Sequence, residues 1–404
     1  MAYRVRTVRD VGELRTALAA IGHYFGWEPS DEEAGRFVRI LPFDRMHAAF
    51  DDGALVGGAG VFPFNLTVPG GDVPCAGVTV VGVLPTHRRR GLLTRMMSAQ
   101  LADIAARGEP LAALWASEES IYGRYGYGMA SLRGWARLPR VWAGLRDNVP
   151  PPDGRVTLVD NDEALATFPR LYDRVRRRNI GFLSRSRDWW ELHRLDDSPE
   201  RRGMGGGPLN RALLERDGRA VGYALYRIVY DGPAEDRKRN VRVLEAMAVD
   251  PAAVRDLWRF VLAVDWTDEI EAVYLPVDHP LLQLVVRVSR LRWQVMDGVW
   301  VRLVDVPAAL AGRTFAGEAV IEVTADSLFP ENVARWSVGA GVVRTRRRPD
   351  VRVDVQALAS AYLGGFTLTQ LARGGRAEEA TRGGLERADA AFRTSTAPWT
   401  PENF

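Results

Sequence analysis

Apolar and polar residues follow one another along the first 130 residues with periods that predict helices and strands in turn. Ser30 and Glu33 form the sequence pattern of a capping box at the start of the second predicted helix. Asp52 and Gly53 form a typical two-residue hairpin turn between strands. The order of these segments predicts an α/β unit. Its predicted elements are helices over 11–24 and from Asp31, and strands over 47–50, 54–64 and 111–116.

A strand, a tight turn and a helix are predicted in direct succession after residue 78. The run 78–84 holds five Val or Leu residues and ends at Pro85, as expected for a buried strand. Gly82 within this run predicts a β-bulge or a close approach of the backbone to another element. The helix is predicted from apolar residues spaced mostly three and four apart: Leu92, Leu93, Met96, Met97, Leu101 and Ile104.

The turn between this strand and helix places Arg88, Arg89 and Arg90 directly before Gly91. The first N–H groups of a helix lack intrahelical partners, and the helix dipole is positive at that end. These groups and the arginines together predict an anion site suited to a pyrophosphate. Neither the GK[ST] ending of a Walker loop nor a G-x-G-x-x-G fingerprint is present here. The alternative is a solvated arginine run that caps the helix.

The pattern V-x-V-x-P followed by R-R-x-G resembles the acetyl-CoA signature of the GNAT acetyltransferases. In that fold one strand splays from its neighbour, which implies that Val81 and Val83 pair through their main chain with the pantetheine arm. The splayed neighbour is then the 111–116 strand, and the cofactor arm passes its end. The residues assigned to acetyl-CoA in this way are Val81, Gly82, Val83, Arg88, Arg89, Arg90, Gly91, Leu92, Leu93, Thr94, Ser117 and Glu118.

A tyrosine that follows the 111–116 strand is the candidate proton donor. The sequence I-Y-G-R-Y-G-Y resembles the F-Y-x-x-x-G-F element of GNAT enzymes, which implies that Tyr122 protonates the departing thiolate. A phenol pKa of about 10 exceeds a thiol pKa of about 8.5, so a neutral tyrosine can hydrogen-bond to a thiolate or protonate it. Tyr125 and Tyr127 are alternative donors, and each of the three tyrosines can instead be a core residue.

A second region repeats the first in a weakened form. Residues 220–226 resemble 54–60, and 243–250 lead into an apolar helix as the 78–84 strand does. The loop after that second strand contains the sequence A-A-V-R and lacks R-R-x-G. We therefore predict a duplicated fold with one cofactor cradle per chain. Coincidence between two α/β units is the alternative.

The last hundred residues are predicted to form a third unit. Alternating segments at 319–323 and 351–355 suggest an antiparallel sheet. Earlier in the chain, the Pro-rich segment 150–154 resembles a linker, and 203–207 is predicted to be a flexible loop. The predicted helices of the third unit are 355–362 and 367–372.

Over the whole chain, the resemblance narrows to the Eis (enhanced intracellular survival) family of GNAT acetyltransferases. It is carried by V-x-V-x-P-T-H-R-R-R-G-L-L and A-S-E-x-x-I-Y-G-R-Y-G-Y-G within 78–128, by Y-A-L-Y-R, by V-P-A-A-L and by the terminal Phe. It implies an α/β (α+β) chain of two tandem GNAT-like domains, 1–148 and 149–303, and a sterol-carrier-protein-like domain, 304–404. It also implies homohexamers that acetylate amines of aminoglycosides and other amine substrates.

The family uses its chain-terminal carboxylate as the base, which by resemblance assigns that role to Phe404. A terminal carboxyl pKa of about 3.5 makes a weak base, so this group orients the amine or takes its proton through water. A frayed terminus is the alternative. The segment 21–28 is expected to border the acceptor pocket, but it lacks the family's acidic residue at the corresponding place. Whether His23 or Glu28 takes that place is left open.

Composition narrows the partners and the chemistry. With 54 basic and 51 acidic residues, the chain lacks the charge excess of a nucleic-acid-binding protein. Cys75 is the single cysteine, and the five histidines form no ligand motif, so no metal is predicted. No apolar stretch is long enough to span a bilayer and no signal peptide is evident, which predicts a cytoplasmic protein without membrane contact. His87 is predicted to be structural.

The function predicted from these features is N-acetylation of a small-molecule primary amine by direct, sequential transfer from acetyl-CoA. An enzyme nucleophile is not required, since Cys75 precedes the signature and is expected to be a buried small residue. The alternative is a non-catalytic protein that binds acyl-CoA or a lipid.

Overall fold

The structure is a computed structural model that describes residues 3–203, 206–233 and 237–404. Residues 204 and 205 of the loop predicted at 203–207 lie outside that part of the chain. The strands are β1 (Arg4–Thr7), β2 (Met46–Asp51), β3 (Ala54–Val68), β4 (Gly71–Val83), β5 (Leu111–Leu114), β6 (Gly128–Met129), β7 (Leu132–Pro139), β8 (Arg155–Leu158), β9 (Asn210–Arg216), β10 (Arg219–Asp231), β11 (Lys238–Ala248), β12 (Glu269–Leu275), β13 (Gln294–Asp297), β14 (Trp300–Leu303), β15 (Ala319–Val323), β16 (Arg335–Val338), β17 (Val343–Arg344), β18 (Val351–Val353) and β19 (Ala377–Glu379). The helices are α1 (Val11–Phe25), α2 (Asp31–Phe37), α3 (Leu92–Ala106), α4 (Glu119–Tyr122), α5 (Asn161–Arg176), α6 (Arg187–Trp189), α7 (Pro199–Arg202), α8 (Pro251–Leu262), α9 (Leu281–Leu284), α10 (Val306–Ala311), α11 (Val355–Tyr362), α12 (Leu368–Arg373) and α13 (Gly384–Phe392).

The chain divides into two compact units, of which the first comprises Met1–Ser131, Val299–Ser395 and Asn403–Phe404. Its larger sheet, called the first sheet below, has the strand order β1-β2-β3-β4-β5-β14-β6 within the described residues. β4 pairs with β3 along nearly its whole length, but it pairs in parallel with β5 only from Cys75 to Gly77. The two parallel strands therefore part after Gly77 and leave an opening in the sheet.

Helices α1 and α3 pack on opposite faces of the first sheet. Val78 of β4 is buried in one apolar cluster with Met97 of α3. Gly82 lies against α1, where an added Cβ would come within 2.9 Å of the Ile21 Cα. A β-bulge shifts the side-chain alternation between these positions, with Val80 at a φ of 46°. The prediction of a bulge or a close approach at Gly82 is confirmed.

The second unit, Leu132–Gly298 with Thr396–Glu402, contains a sheet ordered β13-β7-β12-β11-β10-β9-β8 in its described part. Read in the opposite direction, from β8 to β13, this order corresponds strand for strand to that of the first sheet. β11 pairs in parallel with β12 as β4 does with β5, and α8 follows β11 as α3 follows β4. The predicted duplication is therefore confirmed in the topology.

Strand pairing crosses the predicted boundaries at 148/149 and 303/304. β7 precedes the first boundary but pairs with β12 and β13 in the second sheet. β14 precedes the second boundary but pairs with β5 and β6 in the first sheet. The first sheet thus includes β14, from the predicted second domain, and the second sheet includes β7, from the predicted first domain. Partners so distant along the chain leave no local signal in the hydrophobic pattern.

The C-terminal sheet, ordered β17-β16-β15-β18-β19 in the described residues, belongs to the first unit. The prediction that it is antiparallel is wrong for the two segments that suggested it, because β15 and β18 pair in parallel. Between β15 and β18 the chain forms β16 and β17, each antiparallel to the strand before it. The chain then crosses back and enters β18 in the same direction as β15. The remaining pairs of this sheet are antiparallel.

In the second unit, a buried ionic cluster holds the tail Thr396–Glu402. Glu402 accepts hydrogen bonds from Arg185 and from the indole N–H of Trp189, the latter at 3.1 Å. The same arginine donates to Glu245 at 2.9 Å. These three charged side chains are fully buried, so each carboxylate depends on the guanidinium to offset the loss of hydration.

Candidate functional site

The edge of β4 beside the opening is formed by the residues that the sequence assigned to the pantetheine arm. The N–H of Leu84 donates to the Val56 carbonyl of β3 at 2.9 Å. Because polar groups alternate between the two edges of an antiparallel strand, the N–H and C=O of Gly82 also face β3, whereas those of Val83 face away from it. That edge has no β5 partner beyond Gly77 in the described structure. The geometry can accept an added extended chain there.

Tyr24 contacts the edge of β4 and is not among the residues predicted from the sequence. Its hydroxyl donates to the carbonyl oxygen of Val83 at 2.6 Å, from the last turn of α1. Gly26 then ends this helix with a φ of 64°. His23 and Glu28, the two candidates for the acceptor side, lie exposed around the same turn. The segment 21–28, which is predicted to border the acceptor pocket, is thus linked to β4 by one hydrogen bond.

The N-terminus of α3 has the open character expected of an anion site. Its N-cap is Gly91, with a φ of 75°, and no side chain caps the helix. A Cβ added at Gly91 would meet no atom within 4 Å, so the space beside this N-cap, directly before Leu92, Leu93 and Thr94, is clear. By contrast, Asp250 caps the equivalent helix α8 by accepting from the Ala253 N–H at 2.8 Å. The two helix ends therefore differ in their capacity for an anion.

The three arginines before Gly91 are exposed, but they are not equivalent. Arg90 donates to the Tyr3 hydroxyl at 2.9 Å. Arg88 and Arg89 make no hydrogen bond or ion pair with any described residue. Two guanidinium groups in the turn before the uncapped helix end are thus able to bind a phosphate without first breaking an ion pair.

His87 ties this turn to the hairpin between β2 and β3. Its Nε2 lies 3.2 Å from the Asp51 carboxylate, and its Nδ1 lies 2.8 Å from the Thr86 hydroxyl. Arg89 adopts a φ of 61° in the same turn, a conformation that few non-glycine residues take. The contacts of His87 thus hold the turn between β4 and α3 against the end of β2.

Tyr122 lies at the end of α4 and is 7% exposed. It belongs to the apolar cluster that contains Val78 of β4 and Leu114 of β5, the two strands that part at the opening. Burial raises the pKa of Tyr122, while a hydrogen bond with Ser117 acts in the opposite direction. The phenol is therefore neutral near pH 7 and holds a proton that it can donate.

The alternative donors Tyr125 and Tyr127 have other surroundings. The Tyr125 hydroxyl lies 3.1 Å from the hydroxyl of Thr94, in the first turn of α3. Tyr127 is fully buried, and its hydroxyl has no hydrogen-bond partner among the described residues. Gly126 separates them, and an added Cβ there would come within 2.2 Å of an Arg302 nitrogen, so the turn is closely packed. Of the three tyrosines, Tyr122 has the largest exposed fraction.

Phe404 lies on the face of the first sheet opposite to that of Tyr122. Its ring packs edge-on against Phe64, with centroids 5.3 Å apart, and against Phe62 at 6.4 Å. A Cβ added at Gly77 would come within 3.3 Å of the Phe404 ring, and Gly77 is the last β4 residue that pairs with β5. Val78, the next residue, faces the Tyr122 cluster instead, since side chains alternate along a strand. Phe404 and Tyr122 therefore approach the opening from opposite faces.

Ser117 and Glu118 are exposed at the end of β5. Glu118 caps α4, because its carboxylate accepts from the Ser120 hydroxyl at 2.7 Å and from its N–H at 3.3 Å. These hydrogen bonds lower the pKa of Glu118. The segment is thus held in a tight turn directly before Tyr122.

Cys75 is fully buried, and burial raises the pKa of its thiol well above the usual range. It is therefore a packing residue of β4 without thiolate character. In the described part of the chain, no group of three or more acidic, histidine or cysteine side chains is arranged to hold a metal ion. Nor is any described helix both long and apolar enough to cross a membrane.

Comparison with known protein families divides the chain into three parts. Residues 4–130 and residues 181–303 each match an acetyltransferase (GNAT) domain, through two different family models. Residues 306–401 match a sterol carrier protein domain. The predicted succession of two GNAT domains and a sterol-carrier-protein-like domain is confirmed.

Similar proteins match along nearly the whole chain. An uncharacterized N-acetyltransferase of Streptomyces avermitilis is 40% identical over 399 residues, which cover 96% of each chain. The N-acetyltransferase Eis of Mycobacterium tuberculosis is 35% identical over 395 residues, which cover 92% of each. Among solved structures, Eis1 from Mycobacterium abscessus is 37% identical and superposes with a TM-score of 0.86 over 99% of this chain and 100% of the other.

Proposed function

Since the chain belongs to the Eis family of GNAT N-acetyltransferases, we propose that it transfers an acetyl group from acetyl-CoA to a primary amine at the opening in its first sheet. The observation that carries this proposal is the contrast between the two GNAT domains. The first has an uncapped helix N-terminus flanked by free guanidinium groups, and the second has an aspartate at the same position. Family membership also favours an enzyme over a non-catalytic acyl-CoA or lipid carrier.

The residues of the first domain fit acetyl-CoA, which supplies an activated acetyl group as its thioester. The N–H groups of Leu92, Leu93 and Thr94 would bind the pyrophosphate with Arg88 and Arg89. The outward edge of β4 at Val81 and Val83 would align the pantetheine arm as an added strand. The exposed Ser117 and Glu118 turn would border that arm. The contact from Tyr24 to Val83 supports this edge from the side of α1.

Transfer requires a neutral amine, a C–N bond formed as the C–S bond breaks, and two proton movements. Tyr122 donates a proton to the departing sulfur, because its raised pKa keeps the phenol protonated until a thiolate forms beside it. The terminal carboxylate of Phe404 orients the ammonium group of the acceptor or takes its proton through water. Because Phe404 and Tyr122 lie on opposite faces of the opening, the two proton movements do not compete for one space.

The acceptor class that we propose is a primary amine on a cationic molecule, such as an aminoglycoside or a polyamine-like compound. Carboxylates are concentrated around the end of α1 and the start of α2, where Glu28 and Glu32 are exposed. Such groups attract a polycation to the acceptor side. Homohexameric assembly and a cytoplasmic location are further proposals, and they rest on the family resemblance and the sequence features.

The proposal is tested by thiol release. Wild-type protein with acetyl-CoA and a panel of kanamycin, spermidine, lysine and benzylamine should release CoA with at least one amine, and mass spectrometry should detect the acetylated product. Cys75 does not interfere with a chromogenic thiol reagent, because the only cysteine is buried. Absence of amine-dependent thiol release with every member of the panel would contradict the proposed reaction.

A further inference from the structure

The second GNAT domain contains a cleft that the proposed reaction does not use. Its volume is about 430 Å³, and it lies along β11, the start of α8 and the end of β12. A cleft of this size and apolar character is typical of small-molecule sites. The cleft is lined in part by Met247, Leu257, Trp258, Leu275, His279 and Trp399.

The cleft exists because β11 and β12 part, as their counterparts in the first sheet do. Their parallel pairing covers only Asn240 to Val243 on β11, although this strand continues to Ala248. The end of β12 is irregular, with Tyr274 at a φ of 59° and a shifted register against β7. The opening that would admit the pantetheine arm in the first domain is thus retained in the second.

The acidic groups around this cleft disfavour a phosphate or another anion. Asp250 occupies the N-cap of α8, where its carboxylate takes the place that an anion would fill. Asp278 also lines the cleft, as does Glu245, which is neutralised by its contacts with Arg185 and Arg194. Arg178 lies at the same cleft, but its guanidinium donates to the Val249 carbonyl at 3.2 Å.

His279 supplies the polar group that a ligand could use. Its Nδ1 accepts a hydrogen bond from the Leu281 N–H at 3.1 Å, so the hydrogen of the neutral ring is on Nε2. Burial lowers the pKa of His279 to about 3, which keeps the ring neutral at physiological pH. The ring packs edge-on against Trp258, and its Nε2–H has no hydrogen-bond partner among the described residues. Because His279 lines the cleft, an acceptor on a ligand there can bind this hydrogen.

We propose that this cleft binds an uncharged, mostly apolar small molecule whose carbonyl oxygen accepts a hydrogen bond from His279 Nε2. The apolar walls and the volume set the size and character of the ligand, and the His279 Nε2–H sets the position of its carbonyl group. This site is separate from the acetyl-CoA cradle and does not depend on the proposed acetyl transfer.

Acetanilide is a suitable probe, because it is a neutral aromatic amide of fitting size. Titrated into the full-length protein and followed by ligand-observed NMR, acetanilide should bind at least about fivefold more tightly than propylbenzene, which lacks the carbonyl. Benzoate should not bind at this site, because it is an anion. Equal binding of acetanilide and propylbenzene, or no binding of acetanilide at millimolar concentration, would overturn the proposal.

Two variants locate the site. His279→Phe keeps an aromatic ring but removes the donor, so it should reduce acetanilide affinity about fivefold and leave propylbenzene affinity within a factor of two. Ala246→Trp places a large ring in the cleft and should abolish binding of both probes. Circular dichroism and acetyl transfer by the same samples report whether each variant is folded. Wild-type acetanilide affinity in folded His279→Phe would show that the histidine has no part in binding.

Discussion

Tyr122→Phe is expected to lower kcat about 100-fold while the Kd for acetyl-CoA stays within about twofold of wild type. The substitution removes the hydroxyl that we propose to protonate the departing thiolate, and it keeps the ring that packs between β4 and β5. Because the side chain is buried in an apolar cluster, no water molecule can readily replace the lost donor. Steady-state kinetics gives kcat, and calorimetric titration gives the Kd.

Tyr125→Phe is the matched control for that experiment. It removes the hydroxyl that lies 3.1 Å from Thr94, and it leaves the proposed donor in place. We expect its kcat to remain within about threefold of wild type, since loss of a single neutral hydrogen bond has a modest effect. If Tyr125→Phe were the variant that lost turnover, or if Tyr122→Phe kept it, the proton-donor role would be assigned to the wrong tyrosine.

Extension of the chain beyond Phe404 by two glycines is expected to lower kcat/KM for the amine about 100-fold. Two added residues move the terminal carboxylate by up to about 7 Å and leave a neutral amide at its former position. The Phe404 ring can keep its contacts with Phe62 and Phe64, so the fold of the first unit is retained. The measurement is kcat/KM for the amine at saturating acetyl-CoA.

A two-glycine extension at the N-terminus is the control, and it should leave kcat/KM unchanged. Phe404→Leu separates the ring from the carboxylate, because it keeps the charge and loses the two aromatic contacts. We expect a loss of roughly tenfold for this variant, from a less firmly placed carboxylate. A C-terminal extension with full activity would remove the terminal carboxylate from the mechanism.

The local parts of the fold and site could be predicted from the sequence. The β4 strand, its ending at Pro85 and the helix from Leu92 follow from the hydrophobic pattern, and the capping box at Ser30 is present as expected. These features depend on residues close together in the chain, whose spacing directly reflects the backbone geometry. The family resemblance added the proposed roles of Tyr122 and Phe404, which spacing alone does not give.

The non-local parts could not be predicted. The exchange of β7 and β14 between sheets, and the parallel pairing of β15 with β18, join segments that are distant along the chain. The hydrogen bond from Tyr24 to Val83 has the same origin, since a tyrosine at a helix end carries no sequence signal of its partner. The unpaired donor of His279 also depends on how distant elements pack around it.

We expect each chain to bind one acetyl-CoA, at the turn between β4 and α3. Gly91→Asp tests it directly. Aspartate is a good N-cap and tolerates positive φ better than most residues, but its carboxylate would occupy the open anion site. Gly218→Asp is the matched control, because Gly218 has a φ of 68°, open space around its Cβ and a position in the second unit.

Calorimetric titration with acetyl-CoA of wild type and both variants is the most direct measurement. We expect one binding site per chain in wild type and the same stoichiometry and affinity in Gly218→Asp. In Gly91→Asp the affinity should be at least about 100-fold weaker, because an anion site is replaced by a like charge. Two sites per wild-type chain, or wild-type affinity in Gly91→Asp, would contradict this expectation.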